Sequence, residues 1–183
     1  MTSPDTDRLL RLHGERALHV ARVTISQFVV EQAEKTKSAV GFDYEIREAA
    51  PATFAALRTA YAHSERTGEP LPVSNEHSES VVYAKPEVNF AMRFWHDVSH
   101  VRRGLTFELV DELELALWHL GVLECEGFGS DTVVWQLLHT DLIGSVYVMA
   151  LSRRFPLDQL RFAQGCVANG FDAGVAAELR RPS

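Results

Sequence analysis

The stretch from Pro86 to Gly104 constrains the fold more than any other part of the chain. Proline suits the first position of a helix, because its fixed φ is helical and its missing N–H would have no partner there. Neither Gly nor Pro interrupts residues 87–103, and Gly104 then supplies a natural stop. We therefore predict a helix of about five turns in this stretch.

Two histidines and an acid lie close together in this predicted helix, in the order His96-Asp97-x-x-His100. His96 and His100 are four residues apart and lie on one face, so both imidazoles can bind the same metal ion. Asp97 lies about 100° round the helix, where it can ligate the metal or orient an imidazole. Bulky apolar residues surround the cluster, and buried ionisable groups are costly unless they are paired or metal-bound. We interpret the cluster as a metal centre, with a structural polar network as the alternative.

The next helix supplies two further candidate residues. Thr106 can cap a fourth helix that runs to about Glu124. Glu112 and His119 are seven residues apart, which places them two turns apart on the same side of that helix. If this side faces the histidine pair, the two residues complete a set of four ligands.

Further residues elsewhere in the chain are candidates for the same site. Asp141 lies in a segment, about residues 131–152, that is apolar almost all round and is therefore predicted as a buried central helix. A buried acid needs a partner, and a metal or a histidine is the natural one. His77, in a predicted loop just ahead of the cluster, is a further candidate ligand. Arg93 or Arg103 can clamp a phosphate group.

The rest of the chain is predicted mainly from its helical periodicity and its glycines and prolines. The predicted helices outside the cluster are one from Ser3-Pro4 to about Lys37, one over 51–66, and two at the end over 156–169 and 172–181.

Two short segments, 42–48 and 80–84, have the pattern of strands and can pair in a hairpin-like patch. The segment 68–75 contains Gly68, Pro70 and Pro72 and is predicted as a loop. The predicted fold class is mostly α: residues 1–183 form a single-domain bundle of six or seven helices with a small two-stranded β element.

The composition limits the class of protein. The 183 residues are 46% hydrophobic and 23% charged, which is ordinary for a soluble globular protein. The net charge of −7 disfavours a nucleic-acid binder, although a metal could still neutralise a small phosphorylated substrate. The two cysteines form no CxxC pattern, and no signal-peptide core or apolar run of about 18 residues is present. We expect a cytoplasmic protein with a small-molecule substrate, no nucleic-acid or membrane partner, and a homo-oligomer as an open alternative.

The adjacent His96-Asp97 pair on a helix, with a histidine upstream and a helical aspartate downstream, resembles the HD-domain metal-dependent phosphohydrolases. The resemblance implies that His77, His96, Asp97 and Asp141 bind a divalent metal. The chain departs from the family pattern at His100, which has no counterpart there. Histidine and carboxylate ligands on facing helices also resemble the ferritin-like di-iron proteins, although the Glu-x-x-His part of their pattern is absent.

We predict a metal-dependent hydrolase that acts on a phosphorylated small molecule such as a nucleotide, with Mn, Fe or Zn as the divalent ion. The predicted metal ligands are His96, Asp97, His100, His119, Asp141 and His77, and the predicted catalytic residues are Glu112, as general base, and Arg93, as phosphate clamp. One alternative is an oxidoreductase with a non-haem iron centre. The other is a helical interaction protein without enzymatic activity.

Overall fold

The structure, a computed structural model, describes residues 4–76 and 78–182, with side chains from residue 14 onwards. Within these residues the chain forms seven helices and one small sheet. The helices are α1 Pro4–Val40, α2 Phe54–Thr67, α3 Pro86–Arg103, α4 Leu109–Cys125, α5 Val133–Ser152, α6 Gln159–Asn169 and α7 Phe171–Leu179. The predicted fold class, mostly α with six or seven helices and a small two-stranded β element, is confirmed.

Helix α3 has the predicted bounds, because local residues set both of its ends. Pro86 occupies the first turn, and Gly104 ends the helix in the left-handed conformation with φ 72°. Helices α2, α4, α5 and α6 begin slightly later than predicted. Helix α2 starts after Thr53, whose side chain accepts a hydrogen bond from the Ala56 N–H. Helix α4 starts at Leu109.

The two strands are β1 Tyr44–Arg47 and β2 Leu71–Ser74, and they pair in parallel. The predicted hairpin was therefore wrong, and so was the loop predicted over 68–75. A parallel pair needs a crossover connection, which helix α2 provides. Pro72 is tolerated because each strand of a two-stranded sheet is an edge strand.

Residues 80–84, predicted as a strand, form an irregular connection that is held by side chains of α1. The guanidinium of Arg22 donates hydrogen bonds to the backbone carbonyls of residues 81–83. The Ala84 N–H donates to the Ser26 hydroxyl at 2.8 Å. These contacts satisfy buried backbone groups that would otherwise need a neighbouring strand.

Helix α5, predicted as a buried central helix, is buried in part, and Leu151 near its end is exposed. Leu137, Leu138 and Val148 on it are fully buried. Among the described residues it is the one helix that is long and apolar enough to cross a membrane, with a mean hydropathy of 1.2. A helix at the centre of a globular core needs the same composition.

A π-helical turn, Thr140–Gly144, interrupts the α-helical geometry of α5. Such turns insert one extra residue per turn and often occur at functional sites. Gly144, at the end of the turn, packs closely on the next helices, because a Cβ there would lie 2.9 Å from the Phe162 ring. The turn lies beside the site described below.

Aromatic packing fixes helix α3 against its neighbours. Trp95 is 2% exposed and makes an edge contact with Phe28 of α1, at 5.6 Å between ring centroids. The centroid of the Trp95 ring also lies 4.1 Å from that of the His119 ring on α4. The face of α3 next to Trp95 is therefore held close to α4.

Candidate metal centre

Three side chains from two helices bring ligand atoms together. The Nε2 atoms of His96 and His100, one turn apart on α3, are 2.9 Å apart. Glu112 of α4 faces both rings, with one carboxylate oxygen 3.4 Å from His96 Nε2 and the other 3.4 Å from His100 Nε2. These three residues form a group whose geometry can hold a metal ion.

The three separations agree with the edges of a metal coordination shell. Zinc binds histidine nitrogen and carboxylate oxygen at about 2.0–2.2 Å, so two ligand atoms at about 90° to 109° around one ion lie about 2.8–3.6 Å apart. The observed edges of 2.9, 3.4 and 3.4 Å match this range closely. One ion can therefore contact all three residues without a large movement of the side chains.

The backbone fixes the orientation of His100. Its Nδ1 atom lies 3.0 Å from the carbonyl oxygen of Leu105. A carbonyl only accepts, so Nδ1 carries the hydrogen and donates it. With Nδ1 as the donor, Nε2 points towards His96 and Glu112 and is the atom that can bind a metal. The turn at Gly104 brings this carbonyl back over the end of α3.

His119 performs the corresponding role for His96. The Nδ1 atom of His96 lies 3.2 Å from His119 Nε2, so His119, predicted as a metal ligand, lies behind a ligand instead of joining the three convergent atoms. Burial lowers the pKa of His119 well below its usual value, which keeps the ring neutral. A neutral His119 accepts the Nδ1 hydrogen of His96 and leaves the Nε2 lone pair free for a metal.

The charges of the cluster favour a cation at this position. Burial opposes the ionisation of Glu112, but both histidines outweigh it and lower the pKa of Glu112 to about 2. Burial likewise opposes charge on His96, yet Glu112 raises the pKa of that imidazole above its usual value. An ionised carboxylate beside two imidazole nitrogens is the donor set of a divalent metal site, and a metal that binds here displaces any proton held by His96.

The cluster opens into a cleft of about 800 Å³. His96 and Glu112 line this cleft, whereas His100 is fully buried behind them. Small-molecule sites typically have volumes of about 300–1,000 Å³. A metal ion at the cluster would therefore be reachable by a molecule in the cleft.

Asp141 lines the same cleft from the π-helical turn of α5. The hydroxyl of the fully buried Tyr83 donates a hydrogen bond to Asp141 Oδ2 at 2.8 Å. Burial raises the pKa of Asp141 to about 6, against the opposing effects of Tyr83 and Arg93. Asp141 is outside the group of three convergent ligands and can take or give a proton near neutral pH.

Two further predicted residues, Asp97 and Arg93, are on helix α3 with the two histidines. Asp97 is partly buried on α3, and burial raises the pKa of this carboxyl to about 6. The Arg93 guanidinium donates hydrogen bonds to the backbone carbonyls of Ser74 and Glu76, at the end of β2. These contacts already use N–H groups of the guanidinium that was predicted to bind phosphate. His77 is outside the described residues.

Three features of the site could not be found from the sequence. The acceptor for His100 is a backbone carbonyl, at Leu105, and no pattern of side chains marks it. Tyr83 lies in a stretch whose alternation indicated a strand. Ser145 follows the π-helical turn and lines the cleft, and no sequence pattern marks that turn.

Comparison of the chain with protein-family models, with curated proteins and with solved structures found no match.

Proposed function

We propose that the protein is a metal-dependent hydrolase in which His96, His100 and Glu112 hold one divalent ion. The observation that supports this most strongly is the convergence of two Nε2 atoms and one carboxylate at separations of 2.9 and 3.4 Å. The contacts behind each imidazole add to it, because both direct Nε2 towards the same point.

A hydrolase is the reaction class that this ligand set serves most directly. Three protein ligands leave coordination positions open, as in catalytic zinc sites with two histidines and one glutamate. An ion in such a site supplies Lewis acidity and lowers the pKa of bound water towards neutrality. Asp141 in the same cleft is the candidate general acid or base. Glu112, predicted as the general base, is assigned to the metal because both of its oxygens face the histidines.

The phosphorylated substrate predicted from the sequence stays a prediction. It requires cationic side chains in the cleft, and two arginines, Arg93 and Arg153, line it. Arg93 already donates to two backbone carbonyls. Hydrolysis of para-nitrophenyl phosphate by the metal-loaded protein is the direct assay.

A non-haem iron oxidoreductase is the second candidate. Two histidines and one carboxylate with open positions are also the ligand set of Fe(II) oxygenases. The identity of the bound metal separates the two proposals. Preferential binding of Fe(II), with an optical band that depends on the iron, favours the oxidoreductase. Binding of Zn²⁺ or Mn²⁺ with hydrolytic activity favours the hydrolase.

Metal content of the purified protein tests the site itself. We expect about one equivalent of metal in the wild type after incubation with Zn²⁺ and desalting. We expect less than about a tenth of this in His96→Ala/His100→Ala and in Glu112→Gln, which loses only one ligand and nearly keeps the side-chain shape. His63→Ala is the matched control, because His63 is exposed on α2 and contacts Glu69.

Unchanged metal content in folded Glu112→Gln and in the double variant would contradict the proposed site. A wild type that binds no metal, and whose unfolding temperature does not change with a chelator, would support the non-enzymatic alternative. Circular dichroism of each variant excludes loss of fold as the cause of lost binding.

A further inference from the structure

We propose that the substrate of this site is an uncharged molecule with an apolar body and an amide group, and that Ser145 and Gln159 recognise the amide. This inference rests on the proposed function, because the bound molecule is a substrate only if the site is a hydrolase. The recognition itself is argued from the lining of the cleft and can be tested separately.

Two buried polar atoms that line the cleft have no hydrogen-bond partner among the described residues. They are the Ser145 hydroxyl oxygen and the Gln159 side-chain oxygen. Ser145 is 7% exposed and follows the π-helical turn of α5, and Gln159 is the first residue of α6. Buried polar groups in folded proteins are nearly always paired, so these two need a partner in the cleft, which is either water or a ligand that displaces it.

The chemistry of these two atoms complements an amide. The Ser145 hydroxyl can donate to a carbonyl oxygen, and the Gln159 oxygen can accept from an N–H group. A secondary amide carries both groups in one rigid plane. An ester offers the carbonyl but no N–H, so it would leave the Gln159 oxygen unpaired. A site built for a hydrogen bond rejects the analogue that lacks it, because the buried group then remains unsatisfied.

The walls of the cleft are suited to an apolar body. Large apolar side chains line it from three elements: Met92 from α3, Leu109 from the start of α4, and Leu142, Val146 and Met149 from α5. Burial of apolar ligand surface against such walls is the main source of affinity in small-molecule sites.

The charges of the cleft favour an uncharged molecule over an anion. Among the described residues, the carboxylates that line it are Glu48, Glu76, Glu112 and Asp141, and the guanidinium groups are Arg93 and Arg153. With these groups ionised and His96 neutral, as a metal ligand must be, the net charge of the lining is −4 + 2 = −2. A divalent ion at the metal centre would bring this sum to zero. No excess positive charge then remains to attract a phosphate ester.

Displacement of a fluorescent probe tests this specificity. The probe is N-phenyl-1-naphthylamine, which is uncharged and apolar, and its competitors are N-butylbenzamide, butyl benzoate and phenyl phosphate. The first two have nearly the same shape, and the ester has an oxygen atom where the amide has an N–H group. With the Zn²⁺-loaded wild type, we expect the amide to bind about fivefold more tightly than the ester, as one additional neutral hydrogen bond provides. We expect phenyl phosphate to bind more weakly than both.

Single substitutions then assign the preference to its residues. Gln159→Met keeps a side chain of similar length and removes the acceptor, so it should abolish the preference for amide over ester. Ser145→Ala should weaken both competitors severalfold and leave their ratio unchanged, because both contain a carbonyl. Gln136→Met is the matched control, because Gln136 is on α5 outside the cleft and donates to the Ser130 carbonyl. This control should keep the wild-type ratio.

Four results would overturn the inference: failure of the probe to bind, equal affinity of the wild type for amide and ester, tighter binding of phenyl phosphate, or a preference that survives Gln159→Met. Metal content is measured on the same samples. Metal binding without the amide preference overturns the inference alone, whereas the amide preference without metal binding overturns the proposed hydrolase alone.

Discussion

His119 Nε2 lies 3.2 Å from His96 Nδ1, while the Nε2 atom on the other side of the His96 ring faces Glu112. The fully buried His119 therefore contacts a candidate metal ligand from behind. Such a contact orients the imidazole and makes it a better ligand, and its removal typically lowers metal affinity by about 10- to 100-fold. This arrangement gives His119 a positioning role.

Substitutions of His119 that differ only in hydrogen bonding should separate this role from packing. We expect His119→Leu to weaken Zn²⁺ binding by about 10-fold or more, because leucine fills the space without accepting a hydrogen bond. His119→Gln retains an acceptor and should bind Zn²⁺ within about threefold of the wild type. Titration against a competing chelator measures both affinities. Equal loss in the two variants would argue for a packing role instead.

The raised pKa of Asp141, about 6, makes a prediction about stability and pH. A carboxyl with a folded-state pKa above its unfolded value binds its proton more tightly when folded. It stabilises the fold below pH 4, and this contribution is lost as the pH rises from about 4 to 6.

Asp141→Asn keeps an acceptor for the Tyr83 hydroxyl and removes this titration. We subtract the free energy of unfolding of the wild type from that of the variant. This difference should be about 2 kcal/mol larger at pH 7.5 than at pH 4.5, because only the wild type loses stability over this range. Urea unfolding with a chelator present measures the difference. Asp172→Asn, at an exposed position, is the control and should change by less than about 0.5 kcal/mol. A pH-independent difference for Asp141→Asn would contradict the prediction.

Two glycines in the last helices should respond to alanine in opposite directions. A Cβ on Gly174 of α7 would lie 2.3 Å from the sulfur of Cys166 and 2.8 Å from its backbone. Gly174→Ala should therefore destabilise the protein by about 2 kcal/mol or more, because the two helices must move apart. Gly165 lies within α6 with nothing within 4 Å of such a Cβ. Gly165→Ala should stabilise by about 0.5–1 kcal/mol through helix propensity. Thermal unfolding of both variants checks the signs, and a stabilising Gly174→Ala would refute the close approach.

Glu178 on helix α7 is 3% exposed and connects this helix to the segment that precedes α6. Its carboxylate accepts hydrogen bonds from the Leu157 N–H, Arg154 and Arg181. Burial by itself would raise the pKa of Glu178, but these three donors outweigh it and lower the pKa below the usual glutamate value. The carboxylate thus stabilises the fold above the usual glutamate pKa, and the contribution is lost as the pH falls below it.

Glu178→Gln keeps the shape of the side chain and removes its charge. We expect a loss of about 2 kcal/mol of unfolding free energy at pH 7, because two arginines lose a partially buried partner. The loss should shrink as the pH falls below the usual glutamate pKa and the wild-type carboxyl takes up its proton. Glu69→Gln, which removes an exposed partner of His63, should cost less than about 0.5 kcal/mol. A loss that does not depend on pH would show that shape rather than charge stabilises this contact.

Local patterns predicted the fold class well and the strand pairing poorly. Helix α3 begins at Pro86 and ends at Gly104 because both residues act on their own backbone, which needs no distant partner. Pairing of strands depends on contacts between distant segments. The stretch 80–84 has an alternating pattern, but Arg22 of α1 binds its carbonyls. Strand β1 instead pairs in parallel with residues 71–74, which follow it in the chain after helix α2.

The sequence by itself determined that His96 and His100 lie on one face of a helix, because four residues make about one helical turn. It also placed Glu112 and His119 on one side of the next helix. Only the tertiary structure decided that Glu112 faces the two Nε2 atoms while His119 faces the back of His96. The reason is physical: periodicity fixes the angle of a side chain about its own helix axis, whereas packing between helices fixes which atoms meet.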